Sequence, residues 1–206
     1  AIKKSGVKRE ELFITTKVWI SEYGYEKTKA SVLKSLERLQ LDYLDLVLLH
    51  QPFNDVYGSY RALEELYKEG KLRSIGISNF YSDRMVDLIK FNKVIPMVNQ
   101  VECHPFTQQL KAHEVMKNYG VQIQAWAPFA EGKNNLFTHE TLVSIGQKYQ
   151  KSSAQVTLRY LIQRGISVIP KTVSKDRMKQ NFEVFDFTLS AHDMEAIQAL
   201  DQVESL

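Results

Sequence analysis

The apolar residues of the chain fall into short continuous runs separated by stretches of helical spacing, and one run sets the pattern. Residues 41–52 read Leu-Asp-Tyr-Leu-Asp-Leu-Val-Leu-Leu-His-Gln-Pro, whose unbroken apolar middle fits a strand buried on both faces, as in a parallel sheet. The run closes on His50, Gln51 and Pro52, so the strand delivers an imidazole to its carboxyl end and stops there. In α/β folds that rim is where the chemistry sits.

The rest of the chain repeats the alternation. Residues 1–5 read as the last turn of a helix, closed by Gly6. Residues 12–19, Leu-Phe-Ile-Thr-Thr-Lys-Val-Trp, predict a strand with Lys17 near its end. Residues 25–39 then set Val32, Leu33, Leu36 and Leu39 on one helical stripe, which completes a βαβ unit with the central strand. A helix over about 59–68, ended by Gly70, precedes a strand over 72–77 that terminates in Ser78-Asn79-Phe80. A helix near 83–91 leads to a strand region at 94–104 carrying Asn99, Gln100, Glu102 and His104. A helix over 109–119, stopped by Gly120, leads to a strand over 121–128. After a looser stretch at 130–138 comes a helix ending near Tyr149. Ser152 and Gln155 form a capping box opening a helix that Gly165 closes. The last strand spans 166–172, a helix begins at once over 174–181, and a final helix opens at Ser190 with Asp193 completing its cap.

Strand and helix in strict repetition predict an α/β fold, either a TIM-type (β/α)8 barrel or a doubly wound open sheet. The open sheet's Gly-x-Gly-x-x-Gly phosphate loop is absent, which favours the barrel. Six of eight strands are legible, so residues 1–206 are expected to be a single, incomplete barrel domain with one βαβ segment ahead of Ala1.

Composition narrows the partners. With 206 residues, 44% hydrophobic and 25% charged, the chain can bury a sizeable core. A net charge of +3, with lysines scattered among acids, gives no footprint for nucleic acid. The single Cys103 forms no internal disulfide and no Cys/His spacing suits zinc, so no metal is expected and a cytoplasmic location is. No apolar run approaches the roughly 18 residues of a membrane span, and the first residues do not form a signal peptide. A monomer acting on a small molecule is expected.

Five separated motifs, Ile-Thr-Thr-Lys-Val-Trp, Leu-Leu-His-Gln-Pro, Ile-Gly-Ile-Ser-Asn-Phe, Val-Asn-Gln-Val-Glu-Cys-His-Pro and Ile-Pro-Lys-Thr-Val-Ser, stand in this order at strand ends. Together they closely resemble the aldo-keto reductase family, and most of all its bacterial diketogluconate and glyoxal reductase members. The resemblance implies hydride transfer from NADPH to an aldehyde or ketone, here a small dicarbonyl or keto-sugar, with Asp, Tyr, Lys and His as the catalytic group. Lys17 matches the lysine that lowers the phenol's pKa, and His50 matches the histidine that orients the substrate carbonyl. Trp19 takes a position lining the substrate pocket.

For the cofactor, the resemblance assigns Ser78, Asn79 and Gln100 to the nicotinamide carboxamide and Trp126 to the nicotinamide ring. Lys171, Thr172 and Val173, with Arg177, Gln180 and Asn181, match the segment holding the adenosine end. The residues themselves suit that role: a strand end runs into a helix start, with two cations to meet a 2′-phosphate, which favours NADPH over NADH.

The chain departs from the family in one respect. The family's tyrosine and aspartate belong to an Asp-Thr-Ala-x-x-Tyr type of motif expected ahead of residue 1, and neither Tyr23 nor Tyr57 stands in a matching one. The family's C-terminal loop is likewise expected beyond Leu206. Impaired activity of the span is therefore expected, and the competing reading is a non-catalytic nucleotide-binding barrel with a structural or regulatory role.

Overall fold

The computed structural model describes residues 2–202. Ala1, counted in the expected opening turn, lies outside the described residues. The chain divides into two compact units, Ala1–Asn99 with Tyr119–Val121, and Gln100–Asn118 with Gln122–Leu206.

In the first unit the order is α1 (Ile2–Ser5), β1 (Thr15–Val18), α2 (Tyr25–Leu39), β2 (Leu46–Leu49), α3 (Val56–Lys68), β3 (Ile75–Ser78) and α4 (Ser82–Phe91). β1 pairs parallel with β2, Lys17 beside Leu48 and Val18 beside Leu49, and β2 pairs parallel with β3. All four residues of β2 are fully buried, as an apolar strand covered on both faces requires. Gly76 in β3 is demanded by packing, since a Cβ there would come within 2.4 Å of the Val98 carbonyl oxygen and 2.7 Å of Leu48 Cδ2.

Buried Asp45, at the entrance to β2, accepts from Arg9 Nη2 at 2.6 Å and from the Ile14 amide at 2.8 Å. The Tyr43 ring lies against the guanidinium groups of both Arg9 and Arg73, at 4.0 and 3.9 Å. This knot closes the amino end of the strands, opposite the rim that carries Lys17 and His50. It also explains why β1 starts at Thr15 and not at residue 12: the Ile14 amide is spent on a side chain, and Phe13 is exposed.

β4 (Val98–Glu102) carries the chain from the first unit into the second. There follow α5 (Leu110–Asn118), β5 (Gln122–Trp126), α6 (Glu140–Tyr149), α7 (Ser153–Gln163), β6 (Ser167–Val168), α8 (Lys175–Phe182) and α9 (Ala191–Gln198). β5 and β6 pair parallel, Gln124 beside Ser167. Both halves of the capping box form: Ser152 Oγ accepts from the Gln155 amide, and Gln155 Oε1 accepts from the Ser152 amide. β6 is shorter than the expected 166–172 because Pro170 has no amide to give the ladder. Leu142, Ile145, Leu158, Leu161 and Ile197 form the core under α6, α7 and α9.

Candidate active site

In the first unit the ends of adjacent strands β1 and β2 carry Lys17 and His50. Lys17 is half-buried near the end of β1, and that burial lowers its pKa from the ordinary lysine value. His50 follows β2 directly, its amide donating to the Val18 carbonyl at 3.2 Å. Burial lowers the pKa of His50, and the Lys17 charge lowers it further. The imidazole is therefore neutral at neutral pH, with one N–H to donate and one lone pair.

Two contacts set the position of His50. Trp19 meets the ring edge to face, centroids 4.7 Å apart. Asn79 Nδ2 donates to the His50 carbonyl at 3.2 Å. Asn79 stands just past β3 with φ of 63°, a left-handed position that asparagine tolerates better than most residues. Lys17, Trp19, His50 and Asn79, four of the residues predicted from sequence, thus occupy one strand-end cluster.

Ser78, at the end of β3, is fully buried, and its Oγ has no hydrogen-bond partner among the described residues. A buried hydroxyl without a partner is costly, and a polar ligand group would satisfy it. This fits the carboxamide role that the resemblance gives to Ser78.

The two tyrosines that could compete for the acid's role are committed elsewhere. Tyr23, 4% exposed, donates to the Gln51 carbonyl at 2.8 Å and accepts from the Gln51 amide at 3.0 Å. Burial pushes its phenol up to about 12. Tyr57 donates to Asp87, a bond that raises its own pKa.

The second unit holds the cofactor candidates. A cavity of about 450 Å³ runs past Trp126, Ala127, Pro128, Phe129, Ile169 and Lys171. A second, of about 350 Å³, gathers Lys171, Thr172, Arg177, Gln180 and Asn181, five of the six residues expected at the adenosine end, together with Ser152 and Ser153. Val173, the sixth, is 84% exposed and does not line it. Ser174 caps α8 by accepting from the Arg177 amide, six residues after β6 ends at Val168, so the helix does not begin at once after the strand as expected. Two cations beside a helix start suit an anionic group.

Gln100, 2% exposed, donates through Nε2 to Gln124 Oε1 at 2.6 Å. Gln124, Phe129 and Phe137 were not singled out from the sequence. The available signal for Gln124 was strand alternation, which puts it on the same face of β5 as Trp126. Phe129 and Phe137, packed at 5.8 Å in the irregular stretch after β5, line both cavities and gave no periodic signal.

A family model described as the aldo/keto reductase family matches residues 1–202. Glyoxal reductase of Bacillus subtilis (strain 168) is 50% identical over 204 residues, covering 98% of this chain and 73% of that protein. The crystal structure of an aldo-keto reductase from a Medee basin deep-sea metagenome library superposes with a TM-score of 0.97 at 42% identity, covering 100% of this chain and 77% of the other. An aldo-keto reductase of Bombyx mori solved in complex with NADP gives a TM-score of 0.92 at 32% identity, covering 99% and 72%. Among the described residues no helix is long and apolar enough to cross a membrane.

Proposed function

Because the chain belongs to the aldo/keto reductase family, we propose that it reduces small aldehydes and ketones, glyoxal-type dicarbonyls among them, to alcohols with NADPH. Its fold is of the (β/α)8-barrel class, with six strands among the described residues. The observation that carries the reading is the meeting of Lys17 and His50 at the ends of adjacent parallel strands, close enough for the cation to act on the imidazole.

NADPH supplies the hydride when it is bound. Ser78, Asn79 and Gln100 are the residues that would hold its carboxamide, and Trp126 its nicotinamide ring. Lys171, Thr172, Arg177, Gln180 and Asn181 line a cavity suited to the adenosine end, its two cations giving a 2′-phosphate charge-assisted bonds; Val173, outside that lining, has no part in it. The neutral His50 donates its N–H to the substrate carbonyl, which fixes the carbonyl's direction and stabilises the negative charge that grows on its oxygen. Lys17 favours that same charge and lowers the pKa of any phenol set beside it.

The phenol itself is expected in the Asp-Thr-Ala-x-x-Tyr motif, which residues 1–206 do not contain. Neither Tyr23 nor Tyr57 can take its place, for the reasons of bonding given above. We therefore propose that residues 1–206 by themselves turn over slowly, since a missing general acid costs about 10² to 10⁴ in rate. The mild charge and the buried, unreactive Cys103, its thiol pushed up to about 12, suit a monomeric protein of a reducing cytoplasm.

The test is NADPH oxidation with methylglyoxal. A carbonyl-dependent rate that falls in both His50→Ala and Lys17→Met supports the reading. A rate that neither substitution changes overturns it.

A further inference from the structure

The cavity of about 350 Å³ in the second unit has two helical walls. One is the amino end of α7, with Ser152, Ser153 and Ala154, and the other is α8, with Arg177, Gln180 and Asn181. α7 is packed into the core through Val156, Leu158 and Leu161. α8 buries no residue, and all of it except the half-buried Asn181 is exposed. An eight-residue helix is marginal by itself, so without a buried face to seat it the place of α8 depends on polar contacts.

One side chain spans both walls. Gln155, 7% exposed, accepts through Oε1 from the Ser152 amide at 3.0 Å, with the Ser152 hydroxyl 3.2 Å from the same oxygen. Its Nε2 donates to the carbonyl of Gln180, in the last turn of α8, at 3.2 Å, and to that of Glu183, just past the helix, at 3.0 Å. Carbonyls at the carboxyl end are those a helix does not satisfy itself. The partners also fix which end of the amide points where, because a backbone N–H only donates and a backbone carbonyl only accepts. A turned Gln155 amide would lose its backbone partners at both ends.

We propose that Gln155 is a positioning residue for the adenosine end of the cofactor: by tying the last turn of α8 to the first turn of α7, it sets the spacing of the two walls and the place of Arg177 against the 2′-phosphate. The inference rests on the NADPH reading above and adds to it the residue that seats the phosphate-facing helix. Gln155 is absent from the cavity lining, so it acts through α8 and not on the ligand. Arg177 stands three residues before Gln180, on the same helix face, so a shift of that turn carries the guanidinium with it.

Other contacts hold the chain where α8 ends. Lys151 Nζ donates to the Glu183 carbonyl at 3.3 Å and pairs with Asp186 at 2.7 Å, Arg159 Nη1 donates to the Val184 carbonyl at 3.3 Å, and the Val184 side chain is buried. These act at Glu183 or beyond it, whereas Gln155 reaches inside the helix, at Gln180. Loss of Gln155 should therefore loosen α8 without releasing it.

The experiment measures equilibrium binding, by calorimetry, of NADP⁺ and NAD⁺, which differ by the 2′-phosphate. The wild type is expected to prefer NADP⁺. Gln155→Met, of similar length, loses the amide's bonds and brings no charge to compete with a phosphate. It should narrow the preference about fivefold through weaker NADP⁺ binding, with NAD⁺ within about a factor of two. A residue serving stability alone would change the folded fraction, and with it both affinities together, leaving their ratio where it was.

Narrowing beyond about twofold supports the proposal. A smaller change, or a wider preference, overturns the positioning role and leaves the NADPH reading standing. A wild type that binds neither dinucleotide, or both alike, overturns the NADPH reading and this inference with it. If Gln155→Met does not fold, as circular dichroism would report, Gln155→Asn decides by the same ratio, since its amide is one methylene too short to span from the Ser152 amide to the Gln180 carbonyl.

Discussion

Trp19 stands edge-on to His50, ring planes at 78° and centroids 4.7 Å apart, while Asn79 Nδ2 donates to the His50 carbonyl at 3.2 Å. The indole thus limits rotation of the imidazole, and Trp19 remains half exposed, at 50%, for a substrate to touch. Trp19→Ala should lower kcat for methylglyoxal several-fold, because a free imidazole spends part of its time misaligned. NADPH affinity, read by calorimetry, should stay within a factor of two. A kcat equal to the wild type's would reduce Trp19 to packing.

The titration of His50 follows from the same cluster. Its pKa lies below the ordinary 6.5, through burial first and the Lys17 charge second. The fold therefore favours the neutral ring, and the stability this gives is present above the unfolded pKa and lost as pH falls through the folded one. In Lys17→Met the second cause disappears, so the His50 midpoint should move up toward 6.5. Histidine proton resonances followed over a pH series check this, and a midpoint unmoved or lowered would show that the two groups do not interact.

At the proposed adenosine end, Arg177 lines the 350 Å³ cavity together with Lys171. Arg177→Ala should weaken NADPH about tenfold and NADH little, since only the former carries a 2′-phosphate to lose a charge-assisted bond. Calorimetric titration with both dinucleotides decides, and equal losses would place Arg177 away from the phosphate.

Much of this arrangement is legible in the order of residues. The helix over 25–39 forms as α2 (Tyr25–Leu39), because its apolar stripe is long and meets no conflicting signal. The helix expected from about 59 starts instead at Val56, ahead of Gly58. Gly58 reads as a breaker in sequence, yet the cap requires it: Asp55 accepts from the Gly58 amide, and a Cβ at 58 would lie 2.2 Å from Asp55 Oδ2. Strand-end residues such as Lys17 and His50 announce themselves because polar groups punctuate apolar runs. Phe129 and Phe137 do not, because they sit in an irregular stretch where Ala127, Ala130 and Glu131 all take positive φ and no period exists to read. Gln124 was hidden for another reason, since its meaning depends on which residues the neighbouring strands bring alongside.

Asp193 illustrates a contact that the cap motif at Ser190 only half disclosed. Its carboxylate is buried, which alone would raise its pKa, but bonds from Lys148, Tyr149 and Ser190 outweigh burial and bring it to about 2. A depressed carboxylate stabilises the fold above its unfolded pKa near 3.8, and that stability is lost as pH falls through about 2. Asp193→Asn should cost about 2 kcal/mol at neutral pH and flatten the acid limb of the stability curve. Urea denaturation at neutral pH and at pH about 3 measures both; an Asn variant as stable as the wild type at neutral pH would show that the three bonds only offset the burial.

Tyr23 offers the sharpest separation between a scaffold hydroxyl and a proton donor. Its oxygen sits inside a closed pair of bonds with the Gln51 backbone, donating to the carbonyl and accepting from the amide. Gln51 follows His50 in the chain, so the phenol braces the turn that carries the imidazole. With a pKa of about 12, raised mainly by burial, it is a poor acid, and its proton is already spent on the Gln51 carbonyl. Tyr23→Phe removes both bonds and leaves two backbone groups without their partner, at a cost of about 1 to 3 kcal/mol in stability. The expected kinetic change is small by comparison, a loss of severalfold in kcat from a looser His50, with the pH profile of the reaction keeping its shape. A general acid behaves otherwise: its removal takes away about 10² to 10⁴ of the rate and abolishes the limb of the profile that reports its ionisation. Loss of that size in Tyr23→Phe, with stability little changed, would make Tyr23 the donor and the brace a misreading.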